Sequence, residues 1–267
     1  MSSEFSLEGR IALITGGSGG IGRACVQRLL DYGAKVTLTY LKETETPDMV
    51  LEKFNDVEGI SLQPLNLNDT RSIKRCINGV VKEHGKIDIL VNNAAVGSAT
   101  VKQFSDNPET QDSVMLDINA DGTLKMCQHF LTLPDTPNRK LINISSVGGG
   151  IANFPGFRLS DGMSKAAVAF LTRQLAAETV HSCVDVFAVC PGATNTAMFE
   201  ASTLSKFTVK EQKRFLLNLP KKRLIEPEEV AVVVHFLSCS LSTVLHGSII
   251  DASMGLGVRP GLMSEYE

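Results

Sequence analysis

Two stretches of this chain combine residue types and spacings that could do chemistry. In Thr15-Gly16-Gly17-Ser18-Gly19-Gly20-Ile21-Gly22, glycine fills most positions, directly after an apolar run and before a helix-like stretch. A pyrophosphate is held by backbone N–H groups at a helix N-terminus, where any side chain would stand in its way. Glycines also build ordinary tight turns, but a cluster between a strand and a helix is the arrangement that favours a dinucleotide. Much later, Asp161 and Lys165 stand four residues apart in a long helix-like segment. That spacing puts a carboxylate and an amine on one helix face, within reach of the same group.

The elements that must position these residues follow from pattern. Short apolar runs at residues 10–14, 35–40, 61–65, 88–91, 141–144, 184–189 and 247–250 alternate with helix-like stretches at 20–32, 70–84, 109–131, 161–180 and 227–238. Such alternation is the signature of β-α-β units closing on a parallel sheet. Gly33 and Gly85 stop the first two helices, and Pro227 opens the last. The sequence therefore predicts an α/β fold: a single doubly wound Rossmann domain over residues 1–267, with a seven-stranded parallel sheet and helices on both faces. Ligands then belong at the carboxyl ends of the strands.

Composition narrows the function classes. A chain of 267 residues can bury about three quarters of its unfolded surface, so it needs no disulfide or metal staple. With 26 basic and 29 acidic residues the net charge is −3, which argues against nucleic acid or an anionic membrane as partner. The densest apolar stretch, residues 230–237, falls far short of the roughly 20 residues that span a bilayer. The opening MSSEFSLEGR has no signal-peptide core, so a soluble, cytoplasmic protein is expected. The six cysteines form no C-x-x-C pair and the five histidines show no ligand spacing, so no metal is expected.

Taken together, the motifs resemble those of the short-chain dehydrogenase/reductase family. Its T-G-x-x-x-G-x-G turn is met by Thr15, Gly16, Gly20 and Gly22, with Ser18 and Ile21 between them. Its N-N-A-G after strand four reads Asn92-Asn93-Ala94-Ala95, alanine replacing the last glycine. Its mid-helix asparagine resembles Asn119, its strand-five serine resembles Ser146, and its P-G turn resembles Pro191-Gly192. The late R-x-x-x-P-E-E-V-A pattern is present at residues 223–231. The resemblance spans nearly the whole chain in order, and it implies a nicotinamide cofactor and oxidoreductase activity. It also implies that Asn93, Ala94, Pro191, Gly192, Thr194 and Thr196 border the cofactor, that Lys165 holds its ribose, and that Asn66 and Leu67 meet its adenine.

The departure lies at the centre. The family's Tyr-x-x-x-Lys reads Asp161-Gly162-Met163-Ser164-Lys165. In relatives that tyrosine exchanges a proton with the substrate oxygen. Of the three tyrosines here, Tyr32 ends a helix and Tyr40 a strand, while Tyr266 could arrive only on a folded-back tail or from a neighbouring subunit. An ionised carboxylate accepts hydrogen bonds only and carries negative charge. Beside a carbonyl it opposes the alkoxide that hydride transfer creates. Beside an iminium it stabilises a cation, and hydride delivery then gives a neutral amine with no proton donor. At about 4 Å that attraction is worth several kcal/mol in a partly dry pocket. Asp161, Lys165, Ser146 and Asn119 are thus the catalytic candidates for reduction of C=N⁺. Two other readings stay open. A buried Asp161 with a raised pKa could donate a proton in ordinary carbonyl chemistry, although Lys165 favours the anion. Alternatively, Asp161 merely caps its helix in a nucleotide-binding protein that has lost catalysis.

A narrower resemblance is to the fungal reductases of prenylated indole alkaloid assembly, of the malbrancheamide and paraherquamide type, which carry aspartate for tyrosine. It implies NADPH-dependent reduction of a cyclic iminium and guidance of an intramolecular Diels–Alder reaction. It also implies an arginine near the substrate, for which the helix past Asn119 offers only Met126 and Lys125. An NAD-preferring site places an acid after strand two to bind the ribose 2′-hydroxyl. Here that strand ends Thr39-Tyr40-Leu41-Lys42, with no acid before Glu43, so NADP(H) is expected, with Thr39, Tyr40 and Lys42 beside its 2′-phosphate. Phe154, Phe157 and Arg158 should line the substrate side, as should Phe199, Leu204 and Phe207 of a lid at about residues 197–222. An apolar or aromatic small molecule suits them. The family resemblance further implies a homo-oligomer, tetramer or dimer, in which Ala166, Ala167, Ala169 and Ala176 allow close helix contact.

Overall fold

The computed structural model describes residues 3–54 and 57–259. β1 (Ile11–Ile14) leads into α1 (Gly20–Asp31) and β2 (Lys35–Tyr40), and α2 (Pro47–Leu51) precedes β3 (Ile60–Pro64) and α3 (Thr70–His84). After β4 (Ile89–Asn92), α4 (Pro108–Leu116) and α5 (Gly122–Leu131) are joined by a π turn, Asp117–Asp121. Then come β5 (Arg139–Ile144), the short α6 (Val147–Gly150), the long α7 (Leu159–Thr179) and β6 (Val184–Pro191). α8 (Ala197–Ser202), α9 (Val209–Asn218), α10 (Pro227–Ser238) and β7 (Ile249–Ala252) follow.

The seven strands pair in parallel in the order β3-β2-β1-β4-β5-β6-β7. The winding reverses between β1 and β4, which opens a crevice past their carboxyl ends. Side chains alternate across the sheet. Ala12 and Ile14 join Val26 and Leu29 of α1 and Val230 and Val234 of α10 in one apolar layer. Ile11 and Leu13 join Ile73 and Ile77 of α3, Phe130 of α5 and Leu175 of α7 in the other. A strand apolar on both faces is what a parallel sheet covered on both sides requires.

The strands and long helices read from the sequence are present, with shifted ends. The helix expected over 109–131 is interrupted by the π turn at Asn119. The helix expected from residue 161 starts at Leu159, so Asp161 lies in its first turn and Arg158 holds the cap position without a side-chain capping bond. Asp161 is therefore not a helix cap. Ala169 and Ala176, expected at a contact between copies, are buried within the chain itself. Among the described residues no helix is long and apolar enough to cross a membrane.

Candidate active site

A cavity of about 950 Å³ opens at the carboxyl ends of the strands. At one end lies the glycine turn, held by its neighbours. The Thr15 hydroxyl accepts from the backbone N–H groups of Asn93 and Ala94, both at 2.9 Å. Asn93 Nδ2 donates in turn to the carbonyls of Thr15 and Gly16 at 3.0 and 3.1 Å. The turn after β1 is thereby pinned to the end of β4. A Cβ at Gly22 would sit 2.2 Å from the Gly16 carbonyl oxygen, so only glycine lets α1 begin this close to the turn. Gly19 gives α1 no side-chain cap, which leaves its first-turn N–H groups available to an anion. Gly16, Ser18, Gly20 and Ile21 line the cavity at this turn, and the cradle fits the phosphates of a dinucleotide. Tyr40, Asn66, Leu67, Asn93, Ala94, Pro191, Gly192, Thr194 and Thr196 line it as well.

Four cofactor candidates do other work. Thr15 and Gly22 shape the turn without facing the cavity. Lys42 borders a smaller neighbouring hollow with Gln63, Asn66 and Arg75. Thr39 also lines the cavity, but it is buried and its hydroxyl accepts from the Gly16 N–H at 3.0 Å. The side chain that does reach this end is Glu45, which sequence reasoning missed. Backbone bonds from Thr44 and Glu45 to the Leu41 carbonyl, both 2.9 Å, fold the chain back after β2. Glu45 then accepts from Ser18 Oγ at 2.8 Å and pairs with Lys53 Nζ at 2.6 Å.

At the other chemical centre, Ser146, Asp161 and Lys165 line the cavity together. Ser145 Oγ donates to the Lys165 carbonyl at 2.8 Å, and Lys165 Nζ donates to the Ile144 carbonyl at 3.2 Å, tying α7 to the end of β5. The Ser146 hydroxyl accepts from the Gly148 N–H at 3.2 Å. Gly149 has φ +89, and a Cβ there would meet the Gly162 carbonyl oxygen at 2.2 Å. That close approach lays the glycine turn against the first turn of α7, beside Asp161. No hydrogen bond or ion pair among the described residues engages the Asp161 carboxylate. Burial raises its pKa above the ordinary carboxylate value, while Lys165 and then Arg158 pull it back. Burial lowers the Lys165 pKa, with Asp161 opposing.

Asn119 is not at the cavity wall. The π turn aims its amide at Val96: Oδ1 accepts from the Val96 N–H at 2.8 Å and Nδ2 donates to the Val96 carbonyl at 2.9 Å and to Ser164 Oγ at 3.3 Å. Expected among the catalytic residues, it instead positions the loop after β4 and α7. Met126 is fully buried and Lys125 pairs with Asp121, so neither supplies a cation to the cavity. The arginine that does line it is Arg158. Phe104, Phe154, Phe157, Phe199 and Phe207 give an aromatic wall. Leu204 instead packs with Phe215 and Leu219 in the small cluster that α8 and α9 enclose. Tyr32 stacks on His235 with ring centroids 3.8 Å apart, and Tyr266 lies outside the described residues.

Comparison with known proteins agrees with this geometry. A family model described as Enoyl-(Acyl carrier protein) reductase matches residues 16–257. The chain is 32% identical over 252 residues to the 3-oxoacyl-(acyl-carrier-protein) reductase of Thermotoga maritima, covering 94% of this chain and 98% of that one. It is 31% identical over 249 residues to the 3alpha-hydroxysteroid dehydrogenase of Mediterraneibacter gnavus, covering 92% and 96%. Among solved structures it resembles the Pseudomonas aeruginosa RhlG/NADP active-site complex, with a TM-score of 0.84 at 26% identity, over 96% of this chain and all of that one.

The raised Asp161 pKa makes a statement about stability. Folding strengthens proton binding at that carboxyl, so its ionised form costs stability above the folded-state pKa and costs nothing below the unfolded value of about 4. Asp161→Asn removes the cost. Calorimetry should give the variant a higher Tm at pH 7, with the gain shrinking as the pH is lowered towards 4; a lower Tm at pH 7 would contradict the assignment.

Proposed function

The chain belongs to the short-chain dehydrogenase/reductase family, and from that membership we propose that it is a nicotinamide-dependent oxidoreductase whose substrate arrives as a cation, a cyclic iminium in small-molecule secondary metabolism. The observation that carries the proposal is the Asp161 carboxylate, free of partners and lining the cavity beside Lys165 where relatives place a phenol. A nicotinamide bound in the cavity supplies the hydride. Asp161 stabilises the C=N⁺ cation across a partly dry gap, and the π pair of that bond becomes the lone pair of the product amine. Lys165 holds the ribose and keeps Asp161 ionised. The phenylalanine wall excludes water and orients a flat ring system. It would also hold a folded polycyclic product, which is where a Diels–Alder closure like that of the fungal alkaloid reductases would be guided.

A second reading rests on the burial that raises the Asp161 pKa. A protonated Asp161 could give its proton to an alkoxide, the carbonyl chemistry that the names of the relatives from Thermotoga maritima and Mediterraneibacter gnavus indicate for those proteins. The pH profile separates the two. With an N-alkylated cyclic iminium, whose charge does not titrate, kcat/KM should rise with pH through the Asp161 pKa and then level, and Asp161→Asn should lower it about 100-fold. A rate that falls as the pH rises through that pKa would favour the carbonyl reading instead.

For the carrier we propose NADP(H), because no acid ends β2 and Lys53 stands beside the cradle to take a 2′-phosphate. Glu45 favours NAD(H): a ribose 2′-hydroxyl can donate to it, whereas a 2′-phosphate must displace it from Ser18. Titration of both nucleotides decides this. Glu45→Gln should tighten NADP(H) about tenfold, and a wild type that binds NAD(H) more tightly would reverse the choice.

The outer face of α7 exposes Met163, Ala166, Ala167 and Phe170, the last 67% exposed. We propose that this stripe is covered by a second copy in a homo-oligomer. Phe170→Glu should yield a lighter species in light scattering, and an unchanged mass would refute the pairing. The six cysteines are all free, which suits a reducing, cytoplasmic setting.

A further inference from the structure

Arg158, at the cap position of α7, and Asp161, in its first turn, stand three residues apart, so their side chains start about one turn apart at the head of the helix. Both line the cavity. Arg158 is held by one edge: its Nε donates to Asp112 Oδ1 at 2.7 Å, and the same oxygen accepts from Ser160 Oγ at 2.5 Å. A guanidinium has five N–H donors. No other hydrogen bond engages its guanidinium among the described residues, so the donors on its two terminal nitrogens remain for a ligand. A fork fixed at one edge with its far side unused is the geometry that takes a carboxylate through two parallel bonds.

The donor pattern suits more than a bare cation. Asp112 offsets much of the Arg158 charge, so an iminium with no other charge would meet little repulsion there, but it would leave the terminal N–H donors of the guanidinium without a ligand. A substrate that is positive at its nitrogen and negative one helical turn away would satisfy both groups. We propose that this substrate carries a carboxylate a few bonds from its cationic nitrogen, a cyclic imino acid, and that Arg158 is the residue that reads it. The substrate class rests on the iminium reading above. Phe154 and Phe157, flanking Arg158 on the same cavity wall, fit the ring system of an aromatic member of the class.

The test uses 3,4-dihydro-β-carboline with and without a carboxylate on the carbon next to nitrogen, each reduced by the full chain. The wild type should favour the acid in kcat/KM by about 10- to 100-fold, the range of a charged hydrogen-bonded pair. Arg158→Gln should bring that ratio towards one, and Arg158→Lys should restore only part of it. A wild-type ratio near one, or a ratio that Arg158→Gln leaves alone, overturns the inference. Binding of the two product amines to enzyme loaded with oxidised cofactor keeps the two readings apart. If neither imine is reduced but the acidic amine binds more tightly, and loses that advantage in Arg158→Gln, the iminium reading falls and the ligand class stands. Equal binding of the two amines overturns this inference whatever the reduction shows.

Discussion

A half-buried carboxylate without a partner is costly, because the low-dielectric wall around it penalises the charge that water would have supported. Asp161 bears that cost in the first turn of α7, the helix that also carries Lys165. Its placement depends on contacts that have no catalytic part. Ser145 and Lys165 fasten α7 to β5, the close approach of Gly149 to Gly162 sets the turn beside the carboxylate, and Asn119 braces Ser164 and the Val96 loop. Removing the charge relaxes the strain, and keeping it makes sense when a cation arrives to meet it.

The sheet supplies the rest by topology. Reversal of the winding between β1 and β4 leaves a crevice at the carboxyl edge. The groups with chemistry gather at that edge: the glycine turn after β1, Asn93 after β4, Ser146 after β5, Pro191 at the end of β6, and Asp161 and Lys165 in the first two turns of α7. The amino ends of the same strands contribute only packing and buried ion pairs such as that of Lys140 with Asp185. A rigid scaffold with variable loops is how one fold accommodates different substrates.

The strands were legible because buried parallel strands read as short apolar runs, and the glycine turn because a phosphate cradle excludes side chains. What stayed hidden was orientation. The letter at position 119 does not show that a π turn aims the amide at Val96 and away from the cavity. Glu45 was overlooked because its approach to Ser18 depends on a tight turn at residues 41–45, which separation along the chain does not reveal. Lys42 is near the cradle in sequence, yet the turn that follows β2 places it at the neighbouring hollow. Arg158 was placed near the substrate by its segment alone; its Asp112 tether and its place about one turn from Asp161 at the head of the helix required three dimensions.

The most direct measurement is the relative turnover of a cyclic iminium and its ketone analogue by the wild type and by Asp161→Tyr, which replaces the carboxylate with a phenol that can donate a proton. If a fixed negative charge selects a cationic substrate, the wild type reduces the iminium far faster than the ketone, and Asp161→Tyr shifts that ratio towards the ketone by at least about tenfold. An identical ratio in the two proteins would contradict the account.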